Sequence, residues 1–387
     1  MLKVAIVGAG TISDKHIQGY LQFKDKVQIV SLVDTYSDKA RKKANKYGLD
    51  ASIFDGHQEL LASVEFDLAS VCTPPFAHAP VTIDLLNHGK HVLVEKPMAT
   101  CLQECDEMIA AAKENQRLLS VVAQKRFKTP WMKLKQVVAS GKIGKIIHAQ
   151  IDSFWWRGGN YYDLWWRGTW EKEGGGCTMN HAVHHIDLFQ WIVGYPSELQ
   201  SVLANLNHDN SEVDDFSTSI LFYKNGTLGQ VSASLVHHGE KQKMVVQGER
   251  AMISIPWEVQ AFKQLENGFP EENPEVSAEI QSHYESLPDL SHSDHAGQIA
   301  NLLSAIEGKG ELVVDGQEGR KTLEMVTAIY KSGIEGRRVE LPLLPQDPFY
   351  TRKGILDLAP HFHEKTRSVE NFAIDEITFA RDVDKPG

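Results

Sequence analysis

A glutamate and a lysine stand side by side where a short apolar run ends. Glu95 and Lys96 follow residues 92–94, Val-Leu-Val, which are typical of a buried strand. Pro97 cannot donate a hydrogen bond to a sheet and favours an extended Lys96, so we expect the strand to end here. Ligands of open α/β sheets bind at the carboxyl ends of the strands. The pattern therefore indicates charged groups in a ligand site, although two solvated charges at a strand end would give the same pattern.

Aromatic rings and a forked cation are concentrated in residues 161–170. Trp165, Trp166 and Trp170 offer flat apolar surfaces, and Arg167 lies among them. A sugar ring has apolar faces and polar edges, so this mixture of side chains suits a carbohydrate site.

A histidine-rich helix is predicted after residues 174–176, three consecutive glycines that indicate a flexible turn. Asn180, His184 and Asp187 would share one face of this helix through their i, i+4 and i+7 spacing. The histidines have three open interpretations: hydrogen-bonded core residues, ligands of a metal ion, or a catalytic group that faces Lys96.

The metal interpretation would combine Asp187 with His181 and with His184 or His185, whose spacing is compatible with ligation. The sequence contains no HExxH motif and no second ligand cluster, so we predict that the protein has no metal site. A catalytic histidine becomes the favoured interpretation if the first part of the chain binds a dinucleotide.

The start of the chain carries a dinucleotide-binding pattern. A strand predicted over residues 3–7 meets Gly8-Ala9-Gly10-Thr11-Ile12-Ser13, and a helix follows. Gly8 permits the tight turn, and Gly10 lets the backbone approach a pyrophosphate that the free N–H groups of the helix start would bind. Ser13 occupies the position of the usual third glycine and is small enough to keep the helix and the strand close.

Asp34 ends the next predicted strand, over residues 27–33. It follows Ser13 at close to the spacing of about 20 residues expected of a ribose-binding carboxylate. Its charge would repel a 2′-phosphate, so we predict NAD rather than NADP as the cofactor; a role as a helix cap is compatible with this one. The predicted cofactor-binding residues are Gly8, Gly10, Thr11, Ile12, Asp34, Thr73, Pro74, His78, Glu95 and Lys96.

The pattern of elements divides the chain into three parts. Strands and helices alternate over residues 1–124, which predicts a parallel, doubly wound Rossmann domain. Long strands dominate from residue 146, so residues 125–343 are predicted to form an α/β catalytic and oligomerisation domain with a large, open, mainly antiparallel sheet. Residues 269–282, rich in Glu, Pro and Asn, are predicted to be irregular. Residues 344–387 form a C-terminal extension.

The extension is too aromatic for a disordered tail, since it contains Pro-Phe-Tyr at 348–350 and His-Phe-His at 361–363. We expect it to wrap over the catalytic domain or over a neighbouring subunit. A packed surface extension with no catalytic part is the alternative.

Composition excludes several classes of protein. The chain of 387 residues has a net charge of −11, which leaves no basic excess for a nucleic-acid partner. The four cysteines form no metal-ligand pairs and no secretory framework, which favours a cytoplasmic location. No apolar run approaches the ~18 residues of a membrane span, and the first residues enter a strand without room for a signal peptide.

These motifs together resemble the Gfo/Idh/MocA oxidoreductase family. The resemblance extends over about residues 1–342 and rests on Val-Gly-Ala-Gly-Thr-Ile-Ser (7–13), Thr-Pro-Pro-Phe-Ala-His (73–78), Glu-Lys-Pro (95–97), Gly-Gly-Gly-Cys-Thr-Met-Asn-His-Ala-Val-His-His-Ile-Asp (174–187), Ser-Asp-His (293–295) and Asp-Gly-Gln-Glu-Gly-Arg (315–320).

The resemblance implies hydride transfer between NAD and a carbon that bears a hydroxyl. Lys96 would match the family's catalytic lysine and His184 its proton-transfer histidine. Asn180, the third predicted catalytic residue, stands where inositol dehydrogenases carry an aspartate, so its implied role is to orient the substrate. With this asparagine and its Trp-Arg-Gly-Thr-Trp run (166–170), the chain resembles members that act on sugars, including nucleotide-sugar and glycoside 3-dehydrogenases. The predicted substrate-binding residues are Lys96, Gln124, Arg126, Trp166, Arg167, Asn180 and His184.

The implied activity is oxidation of a secondary hydroxyl of a sugar, glycoside or cyclitol, with glycoside 3-dehydrogenase or inositol dehydrogenase as particular forms. A glycoside hydrolase that works through transient oxidation is an alternative. A non-catalytic dinucleotide sensor is another, and the presence of both Lys96 and His184 argues against it. The open sheet of such proteins often pairs between subunits, so a homo-oligomer, either a dimer or a tetramer, is expected.

Overall fold

The computed structural model describes residues 1–372 of the chain. Its first sheet contains six parallel strands in the order β3-β2-β1-β4-β5-β6, which is a doubly wound Rossmann sheet. Continuous apolar sequences account for the strands at its centre, which are buried on both faces. The strands are β1 Leu2–Val7, β2 Val27–Val33, β3 Ser52–Phe54, β4 Leu68–Val71, β5 His91–Val94 and β6 Leu119–Val121.

Helices connect these strands and cover the sheet, as predicted. They are α1 Ser13–Tyr20, α2 Ser37–Tyr47, α3 His57–Ser63, α4 His78–Asn87 and α5 Leu102–Glu114. The strand order reverses between β1 and β4, so the loops after β1, β4 and β5 open into one crevice, where such folds bind their ligands.

The second sheet has eight strands in the order β13-β12-β11-β7-β10-β9-β8-β16. The pairing is antiparallel except between β7 and β10. A Rossmann domain followed by a large, mainly antiparallel sheet confirms the predicted fold class. The strands are β7 Ile146–Phe154, β8 Glu198–Ala204, β9 Phe216–Phe222, β10 Leu228–Ser234, β11 Gln242–Gly248, β12 Met252–Ile255, β13 Glu258–Gln260 and, later in the chain, β16 Val339–Glu340.

The prediction of an irregular segment over residues 269–282 is wrong. The segment contains a short strand, β15 Pro270–Glu272, which pairs with the preceding strand β14 Phe262–Gln264, and then most of a helix, α9 Pro274–Ser286. The side chain of Asn273 accepts from the N–H of Val276 and caps this helix, which begins at a proline. The completely buried Ile280 fixes the helix to the core.

Further helices lie around the second sheet and reach back to the first. They are α6 Thr129–Ala139, α7 Trp170–Glu173, α8 Val183–Val193, α10 Asp294–Ile306 and α11 Gly316–Glu335. Gly19 of α1 lies against Ile299 of α10, and Gly319 of α11 lies against Val121, so both late helices pack on the Rossmann domain. The long helix α11 also contacts β8 in the second sheet.

The C-terminal extension packs on the chain's own surface as far as the structure describes it. It forms a 3₁₀ turn at Pro348–Tyr350 and a helix, α12 Arg352–Leu358, before it continues in extended conformation. Residues 373–387 of the predicted extension lie outside the described residues. Within residues 1–372, no helix is long and apolar enough to cross a membrane.

Candidate active site

Lys96 lies directly after β5, at the edge of the Rossmann sheet where the strands end. Its Nζ crosses to the second domain and donates to the main-chain carbonyl of Asn180 at 3.2 Å. Burial lowers the pKa of Lys96, and the charge of Arg167 lowers it further, while Glu95 and Glu173 oppose the shift. Lys96 and His184 line the same cavity, so the structure brings together two of the three predicted catalytic residues, and the third, Asn180, contacts Lys96 through its main-chain carbonyl.

Glu95 is held by a buried network behind Lys96. Its Oε1 faces Nε2 of His16 at 2.9 Å and Nε2 of His295 at 3.3 Å, and its Oε2 accepts the main-chain N–H of Lys96. Burial alone would raise the pKa of Glu95, but the two imidazoles outweigh it and hold that pKa well below its usual value. The network therefore keeps a negative charge next to the catalytic lysine.

The same contacts extend into a chain of hydrogen bonds. Nε2 of His16 donates to the carboxylate, and its Nδ1 is hydrogen-bonded to Oγ of Ser70, 3.1 Å away. The Ser70 oxygen is in turn hydrogen-bonded to the hydroxyl of Tyr20 at 2.8 Å. Two helices and two strands are thus connected beneath the loop that carries Lys96.

The network also brings three potential metal ligands together. One ligand atom each from His16, Glu95 and His295 lies within 4.8 Å of the others. Their mutual hydrogen bonds already account for the arrangement. The structure does not assemble the other metal set considered from the sequence: Asp187 pairs with Arg126 instead.

His184 follows an unusual helix start. Residues Thr178–Ala182 form a π-helical turn before α8 begins. This turn interrupts the α-helical spacing on which the shared face of Asn180 and His184 depends. Asn180 reaches Lys96 through its main-chain carbonyl, and its Nδ2 donates to the carbonyl of Gly175 at 3.3 Å.

The glycine turn before this helix is tightly packed, so the prediction of a flexible turn is wrong. A Cβ on Gly175 would collide with Tyr330, and one on Gly176 would collide with Asp214. The buried carboxylate of Asp214 accepts from the N–H groups of Gly176 and Thr178, at 2.8 and 3.0 Å. Asp214 and Tyr330 therefore fix the start of the catalytic helix, and no pattern in the sequence pointed to either of them.

The histidines of this helix differ in their surroundings. His185 lies in the core between Lys125 and the hydroxyl of Ser153, which fits the interpretation of a hydrogen-bonded core histidine. Burial and the nearby charges of Lys96 and Lys125 hold the pKa of His184 well below its usual value. His184 is therefore neutral at neutral pH and has a nitrogen able to accept a proton.

The aromatic segment, residues 161–167, carries Arg167 at its end. The guanidinium lies over the rings of Tyr161 and Trp166, 4.1 and 4.2 Å from their centres. It also donates to Glu173 at 3.1 Å and to the Tyr161 hydroxyl. The charge of Arg167 lowers the pKa of Lys96, so the segment is close enough to affect the predicted catalytic lysine electrostatically.

The other two tryptophans of the aromatic region have different positions. The ring of Trp165 meets Phe76 of the cofactor domain edge-on, at 6.0 Å between centres. Trp170 is buried against Tyr330, so it belongs to the core and not to a sugar site.

Gln124 and Arg126, both predicted to bind substrate, have unlike surroundings. Oε1 of Gln124 is buried without a hydrogen-bond partner among residues 1–372, so it is available to a ligand. Arg126 is 1% exposed, and its guanidinium is occupied by Asp187, at 2.7 and 2.8 Å, and by Glu318 at 2.9 Å. The structure gives Arg126 a structural role, and we do not retain it as a substrate ligand.

The turn after β1 fits a dinucleotide. Gly8 has a φ of +99°, and a Cβ there would lie 2.6 Å from the backbone of Cys72, so only glycine fits. A Cβ on Gly10 would meet no atom of the described residues within 4 Å, which leaves room for a phosphate next to the backbone. Thr11 and Ile12 complete the turn that leads into α1.

Asp34 and the loop after β4 form the rest of this crevice. The carboxylate of Asp34 accepts from the N–H groups of Ala9 and Tyr36, at 2.8 and 2.9 Å, which places it beside the glycine turn. Thr73 and Pro74 belong to this loop, and Oγ1 of Thr73 is buried without a hydrogen-bond partner in the described part of the chain. The ring of His78 instead bridges the carbonyls of Thr73 and Pro97, so it holds the loop and does not reach into the crevice.

A Rossmann crevice with this turn, a ribose-side carboxylate and a lysine–histidine pair defines a dinucleotide-dependent oxidoreductase. Residues 2–123 match the model of the oxidoreductase family GFO_IDH_MocA, NAD-binding Rossmann fold, and residues 131–254 match the model of its C-terminal domain. The protein belongs to the GFO/IDH/MocA family, which confirms the resemblance. It is an oxidoreductase whose cofactor is NAD.

Two curated relatives match over nearly their whole length. D-glucoside 3-dehydrogenase of Escherichia coli is 25% identical over 88% of this chain and 97% of that protein. Inositol 2-dehydrogenase/D-chiro-inositol 3-dehydrogenase of Shouchella clausii is 24% identical over 89% of this chain and 96% of that protein.

Among solved structures, the WlbA dehydrogenase of Bordetella pertussis in complex with NADH and UDP-GlcNAcA superimposes with a TM-score of 0.77. It is 27% identical and covers 89% of this chain and 99% of that one. These similarities extend beyond the two family models to most of the described chain.

Proposed function

We propose that the protein is an NAD-dependent dehydrogenase that oxidises a secondary hydroxyl of a sugar, glycoside or cyclitol to a ketone. The observation that carries this proposal is that Lys96, directly after β5 at the carboxyl edge of the Rossmann sheet, lines one cavity together with His184 of the second domain. The names of the relatives, a glucoside 3-dehydrogenase and an inositol dehydrogenase, support the substrate class.

The reaction requires removal of the hydroxyl proton as a hydride leaves the same carbon. His184, whose lowered pKa keeps it neutral, accepts that proton. The ammonium of Lys96 donates a hydrogen bond to the reacting oxygen and stabilises the negative charge that develops there. The chemistry that bound NAD would supply is a hydride acceptor for the carbon that loses the hydride.

The remaining residues bind and orient the substrate and cofactor. Gln124 offers an unpartnered carbonyl oxygen to a sugar hydroxyl, and Trp166 with Arg167 forms one wall of the sugar site. Asn180 holds Lys96 from the opposite domain and orients the substrate. On the cofactor side, the turn Gly8–Ile12 would hold the pyrophosphate of NAD, Asp34 would accept hydrogen bonds from the ribose hydroxyls, and the hydroxyl of Thr73 would be available to the cofactor.

The test is incubation with NAD and a panel of methyl glucosides, levoglucosan, inositols and a nucleotide-linked uronic acid. A net dehydrogenase produces reduced nicotinamide, measured by absorbance, and a ketone in equal amounts. Release of the aglycone without net reduction would show the hydrolase instead. Binding of NADH without turnover of any compound would contradict a catalytic function and would support the alternative of a non-catalytic dinucleotide sensor.

We also propose a cytoplasmic homo-oligomer. All four cysteines are buried free thiols, which supports a reducing compartment. The open face of the second sheet exposes Val202, Ile220 and Leu228 among polar residues, which supports its use as an interface between subunits, either in a dimer or in a tetramer. Light scattering should give a multiple of the mass of one chain, and the mass of a single chain at micromolar concentration would contradict the proposal.

A further inference from the structure

Residues 359–369, which follow α12 and form a single β-bridge with the aromatic segment at Val369, lie across that segment and are called the strap below. The N–H of Val369 donates to the carbonyl of Asp163 at 2.7 Å, and the N–H of Trp165 donates to the carbonyl of Val369 at 2.9 Å. The strap therefore pairs with the backbone directly before Trp166 and Arg167.

Asn210 anchors the strap with its whole side chain. Its Oδ1 accepts the N–H groups of Thr366 and Arg367, both at 2.8 Å. Its Nδ2 donates to the carbonyl of Arg367 at 2.9 Å and to the carboxylate of Asp163 at 2.8 Å. Asn210 is 1% exposed, so these bonds are shielded from water.

The strap has two further attachments to the same region. Nε1 of Trp170 donates to the carbonyl of Pro360 at 2.8 Å, and the ammonium of Lys365 donates to the carbonyl of Tyr162. The chain just before the strap is fixed to the cofactor domain, since the hydroxyl of Tyr350 donates to Asp106 of α5. The extension thus connects the cofactor domain to the aromatic segment.

The aromatic segment contacts the cofactor domain in turn. Trp165, which the strap holds by its main chain, meets Phe76 in the loop after β4. Arg167, two residues further, acts electrostatically on Lys96. A shift of this segment would therefore move the wall of the substrate site relative to the reacting atoms, and it would leave the glycine turn and Asp34 in place.

We propose that the strap is a specificity-determining element of the active site, with Asn210 and Val369 as positioning residues that fix Trp166 and Arg167 against the bound sugar. The proposal rests on the proposed dehydrogenase function, because it assigns the aromatic segment to the substrate. Loss of the strap's contacts should weaken substrate binding and leave cofactor binding unchanged.

Two variants and one control test this. Asn210→Ala removes the anchor, and Val369→Pro removes the N–H that donates to Asp163 at a position that is 38% exposed, away from the core. Lys353→Ala breaks an exposed ion pair with Asp357 in α12 of the same extension, without contact to the aromatic segment. Steady-state kinetics with methyl β-D-glucoside, NADH titration by fluorescence and amide hydrogen exchange are measured for all three.

We expect both strap variants to raise the KM for methyl β-D-glucoside about tenfold or more, with kcat within about threefold and with an unchanged Kd for NADH. The amide of Trp165 should exchange faster in both variants and should be unaffected in Lys353→Ala. A normal KM despite fast exchange of the Trp165 amide would overturn the proposal. Slow exchange of that amide in Val369→Pro would also overturn it. The Val369→Pro variant provides the test on its own if Asn210→Ala does not fold. If the wild-type enzyme oxidises no sugar, the dehydrogenase function fails, while the exchange data still decide whether the strap holds the segment.

Discussion

Glu95 and Glu173 are buried carboxylates, one from each domain, and both raise the pKa of Lys96. Their surroundings shift their own pKa values in opposite directions. Glu95 accepts from two imidazoles and from the N–H of Lys96, which hold its pKa well below its usual value. For Glu173, burial raises the pKa to about 7, although Arg167 and the N–H of Gly168 oppose the rise.

The difference shows that the donors around a buried carboxylate decide whether it stays ionised. Arg167 divides its hydrogen bonds between Glu173 and Tyr161, and its guanidinium also stacks on two rings. It therefore only partly stabilises the ionised form of Glu173. The cofactor side of the site therefore has a fixed charge, and the substrate side has a charge that changes near neutral pH.

The largest expected effect is the fall in kcat when Lys96, the group on which both carboxylates act, or its neighbour in the cavity, His184, is removed. Lys96→Ala and His184→Ala should each lower kcat by about 10²-fold or more, in the range typical of acid–base groups. NADH binding should persist in His184→Ala, because this residue lies outside the Rossmann domain. Steady-state kinetics and fluorescence titration measure both quantities, with His88→Ala, an exposed histidine, as the control. A near-normal kcat for His184→Ala would show that it is a core histidine and would move proton transfer to Lys96 or elsewhere.

Removal of the Glu95 charge should have the next largest effect. In Glu95→Gln, the single amide oxygen that faces the two imidazole donors carries no charge. We expect this substitution to lower the free energy of unfolding at neutral pH by about 3 kcal/mol. Because the pKa of Glu95 is lowered on folding, its stabilisation is present above the usual carboxyl range, about pH 4.3, and is lost as the pH falls below it. Urea unfolding over this range should show the two proteins converging in acid; a constant difference would contradict an ionised Glu95.

Glu173→Gln should have the opposite dependence on pH. The pKa of Glu173 is raised on folding to about 7, so the wild-type protein loses stability as the pH rises from about 4.3 to about 7, where the buried group must ionise. The glutamine variant lacks this loss, so its stability relative to wild type should increase by about 2 kcal/mol between about pH 5 and about pH 8. Thermal unfolding at the two pH values measures the change. A difference between the two proteins that does not vary with pH would refute the raised pKa of Glu173.

A third carboxylate, Asp34, extends the comparison to the surface of the crevice, and its substitution should have the smallest effect. Asp34 accepts two main-chain N–H groups, and in the proposed function its charge faces the cofactor ribose. Asp34→Ser removes the repulsion of a 2′-phosphate, so the preference for NAD over NADP in kcat/KM should fall by about tenfold. Kinetics with both cofactors decides this, and a wild-type enzyme that prefers NADP would contradict the assigned role of Asp34.

The contrast between the two sides also explains which residues the sequence could predict. Gly8, Asp34 and Lys96 act at strand ends, where a local pattern of a few residues determines their position. The partners of Glu95, in contrast, come from α1 and α10, which lie 79 and 200 residues away along the chain. No local pattern indicates such a pair.

The second domain shows the same limit. The sequence suggests Arg126 as a substrate ligand, but Asp187 and Glu318 occupy it through tertiary contacts. The π-helical turn before His184 depends on Asp214, a residue more than thirty positions later that binds the start of that helix. Side-chain chemistry alone predicted the residue types of the site, and packing between distant segments decided which of them face the cavity.

The helix α11 has a consequence for the cooperativity of unfolding. Its 20 residues span about 30 Å, and most of its side chains are buried. Gly319 near its start lies against β6 of the Rossmann sheet, and Gly333 near its end lies against Leu203 of the second sheet. Neither layer can lose its structure without exposing apolar surface of a helix that the other layer needs. The two domains should therefore melt together in a single calorimetric transition, instead of separately as two independent units.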